Sequence, residues 1–261
     1  MPRRPQKPPP KTTLDELATL AIDLDLTALP AALVELLARA EREQLPFIDF
    51  ATALLRVEHT ARRNRWLDRN LKRSRLGTVE GLEGFDFARR PQLDPRLVKG
   101  LLDARFAHER RNILCLGRPG LGKTRVAKAI AHAACCLGYS VRCVLTTEML
   151  EDLYASRADG TYKRALARYV KPQILLCDEF GYEPFTAAAT NDLFRVVAAR
   201  HGRASTILTA NTGFTRWKGL FASEAAAIAT VDRLIDRATI LRFTGETFRG
   251  PRDVSGAPLD D

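Results

Sequence analysis

One stretch of the sequence, GRPGLGKT at residues 117–124, fits the pattern G-x-x-x-x-G-K-[ST] of phosphate-binding loops. The apolar run 112–116 leads into it as a predicted buried strand, and residues 125–131 leave it as a predicted helix. This order of strand, loop and helix is the context in which the pattern binds phosphate. We therefore predict a nucleotide-binding site formed by Gly117, Arg118, Pro119, Gly120, Leu121, Gly122, Lys123, Thr124 and Arg125.

The residue types in this stretch predict ATP and Mg²⁺ as its cofactors. Glycines let backbone N–H groups turn toward the β- and γ-phosphates, and the start of the following helix adds partial positive charge. Lys123 adds a full positive charge, and the hydroxyl of Thr124 is a suitable magnesium ligand.

A pair of acidic residues, Asp178 and Glu179, ends the apolar run 173–177 further along the chain. Phosphoryl transfer needs a metal to neutralise developing charge and a group that orients the attacking nucleophile. We predict that Asp178 holds the metal with Thr124, and that Glu179 polarises the attacking water. Two adjacent acids also occur as ordinary loop caps, so the interpretation depends on the phosphate-binding loop that precedes them.

From residue 85 onward, predicted strands and helices alternate. Alternation of this kind predicts an α/β fold with a parallel sheet and helices on both faces. The predicted strands are 112–116, 140–145, 173–177, 205–209 and 239–243, and the predicted helices are 125–137, 147–169, 187–201 and 223–237.

The first third of the chain has a different character. Residues 1–11 are basic and proline-rich, and we expect them to be a disordered arm. We predict that residues 12–84 form a small all-helical N-terminal domain and that residues 85–261 form the second domain. The helices of the first domain should begin near Thr13, Pro30 and Pro46. Phe50, Leu54, Val57 and Ala61 give the third helix an apolar face, and we expect Trp66 to pack in a core rather than stack on a base.

The formal net charge of +10 is concentrated in two segments. Residues 1–11 carry four basic side chains, and residues 56–75 carry eight against two acidic ones. Clustered positive charge favours a polyanion by counterion release, which indicates nucleic acid as a partner. The alternative is a solvated helix face. The predicted DNA-binding residues are Arg62, Arg63, Arg65, Arg69, Lys72, Arg73 and Arg75.

Composition excludes several other classes of protein. No apolar run approaches the roughly 20 residues that span a bilayer, and the first residues lack an apolar signal core, so we expect a cytoplasmic protein without a membrane partner. The five cysteines show no paired metal-ligand spacing, and Cys115 and Cys177 lie in predicted strands. We therefore expect free thiols.

Taken together, these motifs resemble the IstB-like helper ATPases of bacterial insertion sequences, which are AAA+ proteins related to the helicase loader DnaC. The resemblance covers most of the chain, and it is carried by residues 117–124, 177–182, 193–194, 200–201, 208–211, Trp217, 232–234 and 245–249. His201 and Ala210 depart from the usual Tyr and Ser of the family. The resemblance implies a homo-oligomer, a ring or filament, that assembles with ATP on double-stranded DNA and presents it to the transposase of the same element.

The resemblance also implies roles for individual residues. Asn211 stands where AAA+ proteins carry a first sensor for the γ-phosphate or water, with a turn residue as the alternative. Arg233 stands where they carry an arginine finger that reaches a neighbouring subunit, with Arg237 as the reserve and an ion pair to Asp232 or Asp236 as the alternative. Only 18 residues follow Phe243, so no C-terminal lid is expected, and Arg249 is the remaining candidate for a second sensor.

Three other functions share some of these features. A helicase loader of the DnaC type has the same nucleotide motifs, and the run 178–182 favours the transposition helper over it. A small-molecule kinase with a phosphate-binding loop would need an acceptor pocket, whereas Glu179, Asn211 and Arg233 favour hydrolysis. A nucleotide-switched scaffold protein would have no need for the basic segment 56–75.

Overall fold

The computed structural model describes residues 13–247. The chain folds into two compact units, and the boundary between them lies between Asp68 and Arg69. This boundary precedes the predicted one at residue 85, because Leu71, Leu76 and Val79 pack into the core of the second unit. The proposed basic arm at residues 1–11 lies outside the described residues.

The first unit is helical, as the sequence predicts. Its helices are α1 (Leu14–Asp23), α2 (Leu29–Glu43) and α3 (Phe47–Ser74), the last of which continues past the boundary. Thr13 caps α1 by accepting a hydrogen bond from the Glu16 N–H at 3.2 Å. Ala21, Leu29 and Leu33 form a small core, against which Leu54 of α3 packs.

The second unit contains a five-stranded sheet in the order β2-β3-β4-β1-β5. All neighbouring strands are parallel, which confirms the predicted α/β fold. The strands are β1 (Ile113–Gly117), β2 (Val141–Leu145), β3 (Ile174–Phe180), β4 (Ser205–Ala210) and β5 (Thr239–Phe243). The helices are α4 (Pro95–Gly100), α5 (Arg105–His108), α6 (Lys123–Cys136), α7 (Thr146–Ala155), α8 (Tyr162–Val170), α9 (Ala187–Arg200), α10 (Phe214–Trp217) and α11 (Glu224–Ile235).

Helices cover both faces of the sheet because successive strand residues point to opposite sides. Ile113 and Cys115 of β1 pack with α6 on one face, whereas Leu114 and Leu116 pack with α7, α9 and α11 on the other. The five cysteines are free, and Cys115 and Cys177 are buried in strands. Between residues 13 and 247, no helix combines the length and apolar character needed to cross a membrane.

Candidate nucleotide-binding site

The phosphate-binding loop connects β1 to α6. Lys123 Nζ donates a hydrogen bond to the carbonyl oxygen of Arg118 at 2.7 Å, so the ammonium group closes the loop onto itself. Gly122 has φ of 86°, a conformation that glycine adopts without steric cost. Gly117 is required for a different reason, because a Cβ at this position would collide with the backbone of Phe243 in β5.

The two acidic residues at the end of β3 are held by hydroxyl groups from three other elements. Thr124 Oγ1 donates to Asp178 Oδ1 at 2.9 Å, and the hydroxyl of Thr209 in β4 donates to the same oxygen. Thr146 Oγ1 donates to the backbone oxygen of Asp178 at 2.9 Å, and the Glu179 N–H donates to Thr209 Oγ1 at 3.1 Å. Asp178 is buried, and these bonds fix the direction of its carboxylate.

A bulge in β3 separates the directions of the two acidic side chains. Cys177 pairs with Leu208 of β4 and Phe180 pairs with Ala210, so β3 has one residue more than β4 in this interval. Glu179 takes the left-handed conformation, with φ of 55°, and its side chain is exposed. The strand therefore extends to Phe180, beyond the predicted end at residue 177, and presents Glu179 at the surface of the site.

A cavity of about 630 Å³ joins these groups. The phosphate-binding loop contributes its residues from Pro119 to Arg125, whereas Gly117 and Arg118 are not part of the cavity wall. Glu179, Thr209 and Asn211 also line the cavity. The structure thus brings the predicted loop, the predicted water-orienting glutamate and the predicted sensor asparagine to one cavity.

A second segment of the cavity wall was not predicted from the sequence. Glu80, Gly84, Phe85 and Asp86, which lie at the predicted boundary between the two domains, line the cavity. Arg125 holds this segment, because its guanidinium donates to the Gly81 carbonyl at 3.0 Å and to the Glu83 carbonyl at 2.7 Å. The aromatic Phe85 within a glycine-rich stretch is the signal that could have indicated a binding role.

Arg90 is a further residue that the sequence analysis missed. Its side chain is 1% exposed, and its Nε donates to the Leu121 carbonyl of the phosphate-binding loop at 2.9 Å. Burial lowers the pKa of the Arg90 guanidinium. An arginine in this position fixes a carbonyl of the phosphate-binding loop.

The donor set of the site fits magnesium. Thr124 lines the cavity, and its hydroxyl lies 2.9 Å from the carboxylate of Asp178, so two oxygen ligands for a metal are close together. Mg²⁺ prefers oxygen ligands and is bound in nucleotide sites by one or two carboxylates together with substrate phosphates. Two protein ligands are therefore enough here.

Arg233 lies near the end of the sheet at which β1 begins, whereas the phosphate-binding loop follows the carboxyl end of β1. Asn112, which precedes β1, donates to the Leu234 carbonyl at 3.0 Å, so the end of α11 is next to the start of β1. The five residues of β1 separate this end of the sheet from the loop by about 16 Å. The Arg233 guanidinium donates to the Ala229 carbonyl at 2.6 Å and stacks 5.1 Å from the Phe194 ring centroid.

The alternative of an ion pair for Arg233 finds no support between residues 13 and 247. Asp236 instead lies 3.5 Å from His201, and no acidic side chain of this part of the chain is in ion-pair range of Arg233. The reserve candidate Arg237 is exposed and has φ of 53°. Both arginines line a cavity of about 600 Å³ at this end of the sheet. The candidate Arg249 lies outside the described residues.

Two of the predicted DNA-binding arginines have partners within the first unit. Arg62 Nε and Arg65 Nη2 donate to Glu58 Oε1 at 3.0 and 2.8 Å, and Arg62 also donates to the Asp25 carbonyl at 3.0 Å. The Ala28 N–H donates to the same carboxylate at 2.8 Å, and this bond contributes most to lowering the pKa of Glu58. Arg62 and Arg65 thus connect α3 to the turn between α1 and α2.

The remaining predicted DNA-binding residues, Arg63, Arg69, Lys72, Arg73 and Arg75, are exposed. Within the part of the chain that the structure describes, none of them forms an ion pair. The prediction for Trp66 was wrong, because this residue is 41% exposed and the small core of the first unit does not include it.

Comparison with known proteins gives consistent sequence matches. A family model described as "IstB-like ATP binding protein" matches residues 19–254. The chain is 31% identical over 236 residues to a protein of insertion sequence IS21 from Pseudomonas aeruginosa that is named for ATP binding, with 90% of this chain and 89% of the relative covered. It is also 31% identical over 210 residues to a protein of insertion sequence IS5376 from Geobacillus stearothermophilus with the same kind of name, with 80% and 84% covered.

Solved structures share the fold at lower sequence identity. The replication initiator DnaA bound to AMPPCP and single-stranded DNA is 18% identical with a TM-score of 0.52, over 64% of this chain and 50% of that one. DnaI is 20% identical with a TM-score of 0.51, over 57% of this chain and 82% of that one.

Proposed function

Because the chain belongs to the family of IstB-like ATP binding proteins of insertion sequences, we propose that it is a magnesium-dependent ATPase. We further propose that it assembles as a homo-oligomer on double-stranded DNA and assists the transposase of its element. The observation that carries the ATPase proposal is the cavity that Lys123, Thr124 and Glu179 line, with Asp178 hydrogen-bonded to Thr124. A site for binding alone would not need an exposed carboxylate that is held beside the loop by a strand bulge.

The residues of the cavity have separate roles in this proposal. The backbone N–H groups of the loop and Lys123 bind the β- and γ-phosphates of ATP, since they supply donors and positive charge. Thr124 and Asp178 would hold Mg²⁺, which neutralises negative charge on the phosphates when it is bound. Glu179 orients the attacking water, and Asn211 holds that water or the γ-phosphate.

Arg233 completes the site of a neighbouring copy in this proposal. It lies at the end of the sheet about 16 Å from the loop of its own chain, so it is too far to contact its own nucleotide. An arginine supplied in trans stabilises transition-state charge and makes hydrolysis depend on assembly. To reach a neighbour, the side chain must leave Phe194 and the Ala229 carbonyl.

Two substitutions separate nucleotide binding from hydrolysis. Lys123→Ala should abolish useful ATP affinity, because it removes the charge that pairs with the phosphates, whereas Glu179→Gln should retain binding and stop turnover. Titration with a fluorescent nucleotide and a steady-state phosphate-release assay measure the two properties. Equal loss of ATP binding in both variants would contradict these roles. Tight binding without turnover in the wild-type protein would instead indicate a nucleotide-switched scaffold.

A further inference from the structure

A third cavity, of about 560 Å³, lies beside α8 in the second unit. Four basic side chains line it, and no acidic side chain of the described residues does so. We define the basic pocket by these four residues, which are Arg73, Arg164, Arg168 and Lys171. All four are exposed, so their charges are available to a ligand.

The sequence of α8 places three of these charges on one side of the helix. Arg164, Arg168 and Lys171 follow at intervals of four and three residues, the spacing at which helical side chains are neighbours. Ala165 and Tyr169 are buried, and they attach a different side of α8 to the core of the second unit. From Arg164 to Lys171 the helix rises by about 10 Å. This distance corresponds to about three nucleotides along one DNA strand.

Acidic side chains neutralise little of this charge in the part of the chain between residues 13 and 247. Arg168 Nη2 lies 2.8 Å from Asp152 Oδ1, and this ion pair is the only one that the basic pocket forms within those residues. Among the described residues, Arg73, Arg164 and Lys171 have no acidic partner in ion-pair range. Because like charges that are held together repel one another, an anion that binds among them relieves the repulsion.

The positive potential of this region extends beyond the wall of the basic pocket. Burial lowers the pKa of the Arg142 guanidinium in β2, and the charge of Arg75 lowers this pKa further. Arg168 makes a smaller contribution in the same direction. Arg75 is one of the predicted DNA-binding residues, so the basic end of α3 and the charges of α8 act in one electrostatic field.

The chemistry of the basic pocket selects its ligand. Exposed arginine and lysine side chains bind the phosphates of a nucleic acid by charge, and such contacts do not read base sequence. A single strand would also gain from stacking on aromatic side chains, and no aromatic ring of the described residues lines the pocket. The backbone of a duplex is therefore the polyanion that fits this surface.

We propose that the basic pocket binds the phosphate backbone of duplex DNA. Arg73 connects it to the predicted basic segment of α3, whose residues from Arg69 onward belong to the second unit. Arg164 and Lys171 are phosphate contacts that the charge of residues 56–75 does not include. The second unit, which contains the nucleotide cavity, thus holds DNA with its own side chains.

The salt dependence of DNA binding by the full chain tests the proposal. The double variant Arg164→Gln and Lys171→Gln should lower the slope of log affinity against log salt by up to about 1.8, since each lost phosphate contact lowers it by about 0.9. Duplex affinity is measured over a salt series with a non-hydrolysable ATP analogue.

The matched control is Lys163→Gln with Arg96→Gln. It removes the same net charge from exposed positions of the second unit outside the basic pocket, so it should leave the slope unchanged. Urea unfolding should give the same midpoint for both variants and the wild-type chain. A slope that falls equally in the two variants, or in neither, would overturn the proposal.

Site-specific crosslinking shows whether the contact is direct. Ala167 also lines the cavity and carries no charge. With Ala167→p-benzoylphenylalanine, irradiation should join the chain to a labelled duplex, and Lys163→p-benzoylphenylalanine should give a much lower yield. Adding Arg164→Gln and Lys171→Gln should reduce the yield from position 167. Equal yields from positions 163 and 167 would overturn the proposal.

The proposal rests on the proposed DNA-binding function, and the experiments distinguish the failure of one from the failure of the other. A wild-type chain that binds no duplex at any salt concentration would contradict the proposed assembly on DNA and the role of the pocket with it. A wild-type chain that binds duplex with the same slope as the double variant would overturn the role of the pocket alone. Preference of the wild-type chain for a single strand would overturn the choice of ligand.

Discussion

Thr209 and Asp178 belong to neighbouring strands, and the threonine hydroxyl donates a hydrogen bond to the aspartate carboxylate. The same hydroxyl accepts the backbone N–H of Glu179 at 3.1 Å. One side chain of β4 therefore orients the predicted metal ligand and holds the backbone of the predicted water-orienting residue. This role of Thr209 has no signal in the sequence, because a threonine inside an apolar strand is also typical of ordinary strand packing.

We predict that Thr209→Val lowers kcat by about 10- to 100-fold, as do losses of comparable orienting groups around metal ligands. Nucleotide affinity should change little, because Thr209 does not belong to the phosphate-binding loop. Thr209→Ser keeps the hydroxyl and should restore most of the rate. Steady-state hydrolysis and nucleotide titration test this, and a serine variant as slow as the valine variant would mean that the methyl packing matters instead.

We predict that Arg233→Ala lowers the hydrolysis rate of the assembled protein by about a thousandfold, the contribution of an arginine finger, while ATP binding persists. Mixing this variant with Glu179→Gln should restore part of the activity. Some mixed neighbours then combine an intact Glu179 with an intact Arg233. Arg237→Ala is the matched comparison, because Arg237 lines the same cavity and is exposed. No recovery at any mixing ratio would indicate that Arg233 has only a structural role.

We predict that replacing Arg63, Arg69 and Arg73 with alanine makes duplex DNA binding less dependent on salt. Each lost phosphate contact lowers the slope of log affinity against log salt by about 0.9, so the triple variant should lose up to about three units. The measurement is DNA affinity over a salt series with a non-hydrolysable ATP analogue.

The control for this experiment is the pair Arg62→Ala and Arg65→Ala, whose side chains already bind Glu58. These changes should reduce the slope less than the triple variant and should destabilise the helical unit. The ionised Glu58 carboxylate contributes to the stability of the folded helical unit, and this contribution is fully present at pH values above the carboxyl pKa of the unfolded chain. It is lost as the pH falls through the lowered pKa of the folded state. An unchanged slope in the triple variant would mean that these side chains are only a solvated surface.

We predict that Arg200→Met lowers the free energy of unfolding by about 3 kcal/mol, because several buried carbonyl groups lose their donor. Arg200 is 2% exposed, and its guanidinium donates to the carbonyls of Tyr169 and Pro172 at 2.9 and 2.8 Å. Burial lowers the pKa of Arg200 to about 10. Urea denaturation measures the effect, with Arg203→Met as an exposed control. A change below about 1 kcal/mol would show that water replaces the guanidinium.

The sequence by itself determined the features that depend on local pattern. The loop 117–124, the alternation of strands and helices, and the acidic residues after an apolar run are each contained within a short stretch of chain. Their periodicity and residue types therefore predicted the fold. The loop pattern also predicted the position of the helix that follows it, because glycine and lysine at fixed spacing have few other uses.

Only the tertiary structure decided which distant residues meet. Thr209 reaches Asp178 because β4 pairs with β3, and Arg125 holds residues 81 and 83 because that segment folds over α6. The bulge that turns Glu179 outward depends on the register of two strands, which no local pattern encodes. Arg62 and Arg65 are likewise held by Glu58 in a way that charge counting does not reveal. Each of these contacts joins side chains whose positions depend on packing of the whole unit, so their neighbours in sequence carry no signal of them.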